Sequence, residues 1–322
     1  MSTAWHFTEG NHFKFGHNKQ FIFTNGFNYS FEFGQVKRPP LSWREEAILA
    51  AKKIAASTSE PITILLSGGI DSEVVSRAFV AAGVKHSLLF CEYFTTKDGK
   101  KTIINEYDSN YALKYIKESG LSFKILSLDI PNFFSGPYHK YCEKYKLTLN
   151  NFYIYAWIVD ETPGVVVMGC GDLCLYRLEN TWSTFHREFP HWSLMFEDWR
   201  ARNKNIVPRF FMYTPELMLS FLLDPLTKQF NKLSNPMRML SMNTFKPLVY
   251  DSHWPDLKPR QKKHGLEDFH ELRSLGDQLR VRYSDFDTPI AVPYESLIDG
   301  LQPKGALHGT YSFEKEIRPT NG

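Results

Sequence analysis

The residues of this chain best equipped for chemistry stand in six consecutive positions, Ser67-Gly68-Gly69-Ile70-Asp71-Ser72, directly after the apolar run at 62–66. Adjacent glycines remove two side chains, so backbone N–H groups there can come close to an anion. Residues 73–82 carry a helical pattern, and a helix N-terminus adds unsatisfied N–H donors and the positive end of a dipole. Ser67 and Ser72 supply hydroxyl donors. Asp71 is the odd member, because a carboxylate beside a polyanion is repulsive unless a cation sits between them, which makes it a natural Mg2+ ligand. The bland alternative is a glycine turn with a capping Asp or Ser. Against it stands the order of parts: buried strand, six-residue motif, amphipathic helix. Two better-known phosphate loops do not fit, since there is no G-x-x-x-x-G-K-[ST] and no G-x-G-x-x-G after a strand.

The elements that must position this loop are legible around it. Strand-like runs fall at 62–66, 87–90, 123–128 and 165–168, and helical runs at 73–82, 106–119 and roughly 149–159. Gly83 and Gly120 follow two of those helices as C′ glycines. Continuous apolar strands alternating with helices predict a parallel sheet covered on both faces. Upstream, Ser42 and Glu45 form a capping box before a helix at about 43–56. Residues 5–34 alternate aromatic and polar side chains, with Asn25-Gly26 between the runs 21–24 and 27–33, and predict a small β-hairpin module. After Gly171 the strand signal fades; 215–223, 225–233 and 267–279 read as helical, and the Gly/Pro-containing stretch from about 300 reads as a loosely ordered tail. The expected divisions are 1–40, 41–299 and 300–322.

Composition sets bounds. The chain has 322 residues, of which 43% are hydrophobic, so it can bury a sizeable core. A formal net charge of +3 does not indicate nucleic acid, although it leaves that partner open. The four cysteines, Cys91, Cys142, Cys170 and Cys174, lack a disulfide-framework spacing and read as reduced thiols. Cys170 and Cys174 could be half of a zinc site, but no second pair stands out to complete it. No run reaches the roughly 20 apolar residues of a membrane span, and no leader pattern opens the chain, so a cytoplasmic, soluble protein is expected.

The segment Ser67-Gly68-Gly69-Ile70-Asp71-Ser72 resembles the SGGxDS signature of the PP-loop ATP pyrophosphatases. The resemblance implies a HUP-like sheet, pyrophosphate held in the loop, and ATP and Mg2+ as cofactors. It further implies a substrate that is adenylated and then attacked by a nitrogen or sulfur nucleophile. Three further segments are similar to the asparagine-synthetase branch. Glu106-Tyr107-Asp108-Ser109-Asn110-Tyr111-Ala112 is similar to the family's acidic residues before a Tyr-Ala pair. Val165–Met168 runs into Gly169-Cys170-Gly171-Asp172, similar to a strand followed by Gly-Asp-Gly-x-Asp-Glu. Trp254 to Gly265, with Arg260, Lys262 and Lys263, is similar to a late Arg-x-Lys-x-Gly segment whose lysine reaches the α-phosphate. The nucleotide-binding set implied is Ser67, Gly68, Gly69, Ile70, Asp71, Ser72, Phe90, Gly169 and Gly171. Asp71 and Asp172 are the metal candidates, and Lys262, Lys263 and Arg260 the catalytic ones.

The departures are informative. Cys170 stands where the family has Asp, and the terminal Asp-Glu pair is missing or shortened. Position 2 is Ser2 rather than the cysteine that heads a glutaminase domain, and only about forty residues precede the synthetase-like part, so the nitrogen would come from ammonia, an amine or a separate protein. The expected fold is therefore α/β, a HUP-like parallel sheet with helices on both faces, a small N-terminal β-hairpin module and a helical C-terminal part. The expected function is an AMP-forming, ATP-dependent ligase acting on a small-molecule acceptor with an amine or ammonia donor; homo-oligomerisation is left open. Two rivals stand beside it: a PP-loop enzyme modifying a nucleobase or nucleic acid, and an ATP-binding pseudoenzyme serving as a scaffold.

Overall fold

The computed structural model of the chain describes residues 4–9, 13–17, 27–145, 150–171, 174–178, 181–188, 198–199, 201–231, 246–257, 260, 265–266, 288–302 and 311–315. The first elements are β1 (Ala4–Glu9), β2 (Phe13–His17), β3 (Phe27–Phe33) and α1 (Trp43–Ala56). The alternating part follows: β4 (Ile62–Leu65), α2 (Ile70–Ala81), β5 (Ser87–Lys97), β6 (Lys100–Ile103), α3 (Glu106–Ser119), β7 (Phe123–Asp129), α4 (Ile130–Ser135), α5 (Pro137–Tyr145), α6 (Asn150–Glu161) and β8 (Val165–Met168). Beyond it lie β9 (Cys174–Leu178), β10 (Thr181–Glu188), β11 (Ile206–Val207), a single 3-10 turn (Phe210–Met212), α7 (Pro215–Leu223) and α8 (Pro225–Asn231). The last elements are α9 (Lys246–His253), β12 (Thr288–Pro293), α10 (Tyr294–Leu301) and β13 (Tyr311–Lys315).

The central sheet runs β11-β8-β4-β5, and β5 continues the pairing to β7. Each of these neighbours is parallel; β6 alone is antiparallel, folded back on the end of β5. Every residue of β4 and of β8 is buried, as strands covered on both faces require. The chain lays down β4, β5 and β7 in one direction and then returns to place β8 on the other side of β4. That reversal makes the space beyond the carboxyl ends of β4 and β8 the topological switch point, the place where an open parallel sheet receives ligands. The α/β fold with a parallel-dominated central sheet flanked by helices is thus the one expected.

Local chemistry explains the boundaries. Ser42 Oγ accepts from Glu45 N–H at 3.4 Å while a Glu45 carboxylate oxygen accepts from Ser42 N–H at 3.0 Å, the reciprocal capping box that starts α1. Trp43 follows it into the core, with its ring 4.6 Å from that of Tyr250, 5.5 Å from Phe221 and 5.8 Å from Phe211. One aromatic side chain thereby joins α1 to α7 and α9. The second strand extends to Lys97, well beyond the expected end at 90. Asp98 and Gly99, with φ of 51° and 74°, form the two-residue turn that reverses it into β6. Positive φ at both positions is what such hairpins demand, and Asp-Gly is a sequence suited to it.

Three expectations need correction. The strand at 27–33, expected to pair with the run 21–24, pairs instead with β2, the strand before it in the chain. Both edges of β3 are taken, by β2 and by β13, and residues 18–26 lie outside the described residues. Residues 311–315, expected in a loose tail, form that fourth strand, antiparallel to β3 with Tyr311 opposite Phe31 and Lys315 opposite Phe27. The part after Gly171 is not purely helical: β9, β10 and β12 make a three-stranded antiparallel sheet, built from the alternating runs CLYRL and TWSTFHRE. The helix expected at 267–279 lies outside the described residues.

A buried polar chain ties α2 and α3 to the start of β5. The Val84 carbonyl can only accept, so His86 Nδ1 carries the hydrogen in their 2.9 Å bond. His86 Nε2 then accepts from Ser76 Oγ at 3.3 Å, and Ser76 accepts from the Tyr115 hydroxyl at 2.9 Å. Burial pushes the His86 imidazole below its ordinary value, partly offset by the Val84 bond. The unfolded chain takes up this proton near about pH 6.5 while the folded chain resists it. His86 therefore leaves stability level above that pH and lowers it as pH falls through the depressed folded value. Thermal midpoints recorded from pH 8 to 5.5 should fall below about 6.5, and His86→Gln should flatten part of that slope; an unchanged slope would remove His86 from the acid response.

Candidate functional site

The loop leaves β4 at the switch point and becomes helix within three residues. Gly69 is the N-cap of α2, so Ile70, Asp71 and Ser72 form its first turn, three residues earlier than the periodicity alone suggested. The two serines organise the loop from inside. Ser67 N–H donates to Ser72 Oγ at 3.0 Å, the two hydroxyls lie 3.1 Å apart, Ser72 Oγ donates to Gly69 O at 3.1 Å, and Gly69 N–H meets Ser67 Oγ at 3.3 Å. The N–H groups of the first helical turn have no acceptor within the helix and are available by geometry to an anion.

Two distant segments close on this loop by backbone contact, and a third closes on the entrance to α3. Gly68 has φ of +79°, and a Cβ there would stand 2.3 Å from the Asp108 carbonyl oxygen in the first turn of α3. Only glycine satisfies both demands. From the strand on the other side of the switch point, Gly169 rests on α2, where a Cβ would meet Ser72 N at 2.9 Å. From the basic segment, Gly265 rests on the entrance to α3, where a Cβ would meet the Ile104 carbonyl at 1.9 Å.

Asn105 supports the arrangement. Where the chain of β4 turns away after Leu66 N–H has bonded Leu89 O at 2.8 Å, β5 is left with an open edge. The buried Asn105 amide fills it, donating to Cys91 O at 2.9 Å and accepting from Tyr93 N–H at 2.8 Å; Ile104 N–H then takes Tyr93 O at 2.9 Å. One side-chain amide thus stands in for a stretch of missing strand and carries β5 past the end of β4.

Charges surround the loop in compensated groups. Glu73, 2% exposed, receives Arg77 through Nε at 2.9 Å and Nη2 at 2.5 Å, and also receives Arg260 Nη2. Arg260 Nη1 donates to Gly68 O at 2.7 Å, and its guanidinium lies 5.0 Å from the centroid of the Tyr111 ring. Two arginines therefore share one carboxylate beside the loop, a surplus of one positive charge. Asp71 Oδ1 is held by Lys246 Nζ at 2.5 Å and by the Tyr250 hydroxyl at 2.9 Å. Lys246 and Tyr250 stand one helical turn apart on α9, and the lysine is 6% exposed. The far end of α9 is fixed by His253 Nε2 against Asp224 Oδ2 at 2.7 Å.

No family model and no curated protein matches the chain. Among solved structures it is similar to an NMN synthetase from Francisella tularensis, with 13% identity over 76% of this chain and 96% of that one and a TM-score of 0.30. It is also similar to an NH3-dependent NAD synthetase from Campylobacter jejuni, with 15% identity over 81% of this chain and 92% of that one and a TM-score of 0.28. Likeness of that size leaves the activity to be read from the chain's own site.

Of the residues singled out from sequence, Ser67, Gly68, Gly69, Ile70, Asp71, Ser72, Gly169 and Arg260 come together. Gly171, with φ of +85°, lies against Arg209 and Met212 rather than against the loop. Phe90 is buried in the hydrophobic core. Asp172, Lys262 and Lys263 lie outside the described residues. Sequence reasoning does not reach Lys246, Tyr250, Glu73, Arg77 or Asn105. Only Asn105, directly before the helix that opens at Glu106, had a local cue.

The donor set fits Mg2+ as a nucleotide-bound ion. Such an ion takes one or two protein carboxylates and completes its octahedron with phosphate oxygens and water. Asp71 is the carboxylate that the described residues offer on the loop, and among them no three His, Cys, Asp or Glu side chains gather as a metal cage. Asp71 is also a structural partner of a buried lysine. Asp71→Asn should accordingly cost stability as well as any ligand. The loss should be about 3 kcal/mol, the low end for removing one partner of a buried pair, because the amide oxygen can still accept from Tyr250. Denaturant unfolding should show this loss, and Lys246→Met added to Asp71→Asn should restore most of it; a single variant as stable as the parent would mean that the carboxylate serves ligand alone.

Proposed function

We propose that this protein is an AMP-forming, ATP-dependent ligase of the PP-loop type. The observation that carries the reading is the glycine loop at the β4/β8 switch point, with Gly68 pressed on α3, Gly169 on α2 and Arg260 on the loop carbonyl. A phosphate chain entering there meets the N-terminal amides of α2, the hydroxyls of Ser67 and Ser72, and the surplus positive charge of the Arg77–Glu73–Arg260 group. No lysine of a Walker type points the γ-phosphate toward transfer, so the loop is suited to hold the β- and γ-phosphates together as a leaving group.

In this reading an acceptor carboxylate or amide oxygen attacks the α-phosphorus, the bond from that phosphorus to the bridging oxygen breaks, and pyrophosphate departs with the bonding electrons. An amine or ammonia then attacks the adenylated carbon, losing a proton as AMP leaves. Asp71 would be the residue that holds Mg2+, which would supply neutralisation of the departing charge. The chain's own residues position and neutralise; little else is required of them. One of Lys262 and Lys263, which follow Arg260 in sequence, is assigned to the α-phosphate. Thiol chemistry is disfavoured at Cys91, whose pKa is pushed up by burial and by the neighbouring Glu92 charge, which leaves a poor nucleophile.

Two measurements test this. Incubated with ATP, Mg2+ and a panel of carboxylate and amide acceptors with ammonia, the protein should release AMP and pyrophosphate; chromatography showing ADP and phosphate as the main products would overturn the assignment. Of Lys262→Met and Lys263→Met, one should lower kcat by a factor on the order of 10²–10³ with little change in ATP affinity, and the other should be near silent. Two silent variants would take that segment out of the chemistry and leave the glycine loop standing.

A further inference from the structure

Arg260 was singled out as a group that would act on the ligand, yet its guanidinium is already engaged on three sides. It joins the Gly68 carbonyl, the Glu73 carboxylate and the face of Tyr111. Glu73 belongs to α2, whose N-cap is Gly69, so one planar side chain bridges the loop and the helix the loop starts. A trans peptide is flat, with its C=O and N–H pointing in opposite directions. The Gly68–Gly69 peptide is therefore fixed at both ends, by Arg260 on its oxygen and by Ser67 Oγ on its N–H. Between two glycines, where no Cβ limits rotation, such a plane turns easily unless something outside the loop holds it.

We propose that Arg260, anchored by Glu73, is a positioning residue that holds the Gly68–Gly69 peptide with its carbonyl on the guanidinium and its N–H on Ser67 Oγ, so that docking of Arg260 fixes the shape of the loop and thereby sets its affinity for phosphate. Gly265 permits that docking by bringing its backbone onto Ile104, and Arg77 adds to it by donating to Pro255 O at 2.7 Å. Lysine could not replace Arg260 fully, since one ammonium cannot span carbonyl and carboxylate in the fork that a guanidinium presents. The ligand part of this proposal rests on the phosphate-binding reading of the loop; the loop-ordering part does not.

The test uses the full chain with Arg260→Met, Arg260→Lys and Glu73→Gln, alone and combined. Amide hydrogen exchange is read across residues 66–72 without ligand, and calorimetry gives the affinities for Mg2+–ATP and for inorganic pyrophosphate. Arg260→Met should speed exchange at the loop by about tenfold or more and weaken both probes by a similar factor, the loss expected of one charge-assisted hydrogen bond. Arg260→Lys should fall between, Glu73→Gln should move both readings the same way, and the double variant should be no worse than Arg260→Met. Exchange in β7 and α6 should stay as in the parent, which separates ordering of the loop from general loosening. Unchanged loop exchange with weakened binding would make Arg260 a direct ligand contact and overturn the proposal, as would a variant changed in neither. Should Arg260→Met fail to fold, parental behaviour of Arg260→Lys in both readings overturns it equally. A parent protein that binds neither probe would sink the functional reading, while loop exchange would still decide the role of Arg260.

Discussion

The site is built around an absence of one carbon atom. A Cβ at position 68 would lie 2.3 Å from the Asp108 carbonyl, a distance no side chain can occupy. Because the position is glycine, α3 can advance until its first turn touches the loop. Everything else in the neighbourhood uses that closeness. Asn105, just before α3, reaches the open edge of β5; Tyr111, one turn into α3, gives Arg260 a surface to lie on; and Gly265 settles on the peptide of Ile104. A larger residue at 68 would push α3 outward and separate these contacts together.

The second organising feature is electrostatic. Two acids in the first turn of α2 arrive with cations of their own, Glu73 with Arg77 and Arg260, and Asp71 with Lys246. An uncompensated carboxylate here would repel phosphate and would be costly to bury. The pairing solves both difficulties and leaves the loop slightly positive. It also draws on the most distant parts of the chain, since Lys246 and Tyr250 come from α9, which Trp43 in turn holds against α1 through a cluster of aromatic rings.

What could be read in advance follows from this division between near and far. The strand, loop and helix around Ser67–Ser72, the Ser42–Glu45 capping box and the strand Val165–Met168 are set by neighbours in sequence, and their residue types announce them. The Asp98-Gly99 turn is equally local; the apolar run ends at Phe90, and only the more polar stretch beyond it carries β5 on to that turn. The partners of β3 are only partly local. Asn25-Gly26 drew the partner too close: β2 is still local, the strand before β3, whereas β13 comes from residues 311–315 and nothing near β3 reports it. Lys246 carries no local mark at all. Its meaning lies in Asp71, and nothing near position 246 reports that contact. Arg260 stands at the loop, where it meets Gly68 O and Glu73, partners that its spacing does not name.

The separations involved carry a consequence for the order of events during synthesis. Arg260 meets Gly68 across 192 positions and Tyr250 meets Asp71 across 179. Contacts of such separation are made late, after the loss of chain freedom that closing them demands. A nascent chain that has emerged only as far as β8 already holds every strand beside the glycine loop on its inner side. It does not yet hold the lysine that neutralises Asp71 or the arginine that fixes Gly68. The surroundings of the glycine loop are thus completed by residues that follow β8 in the chain.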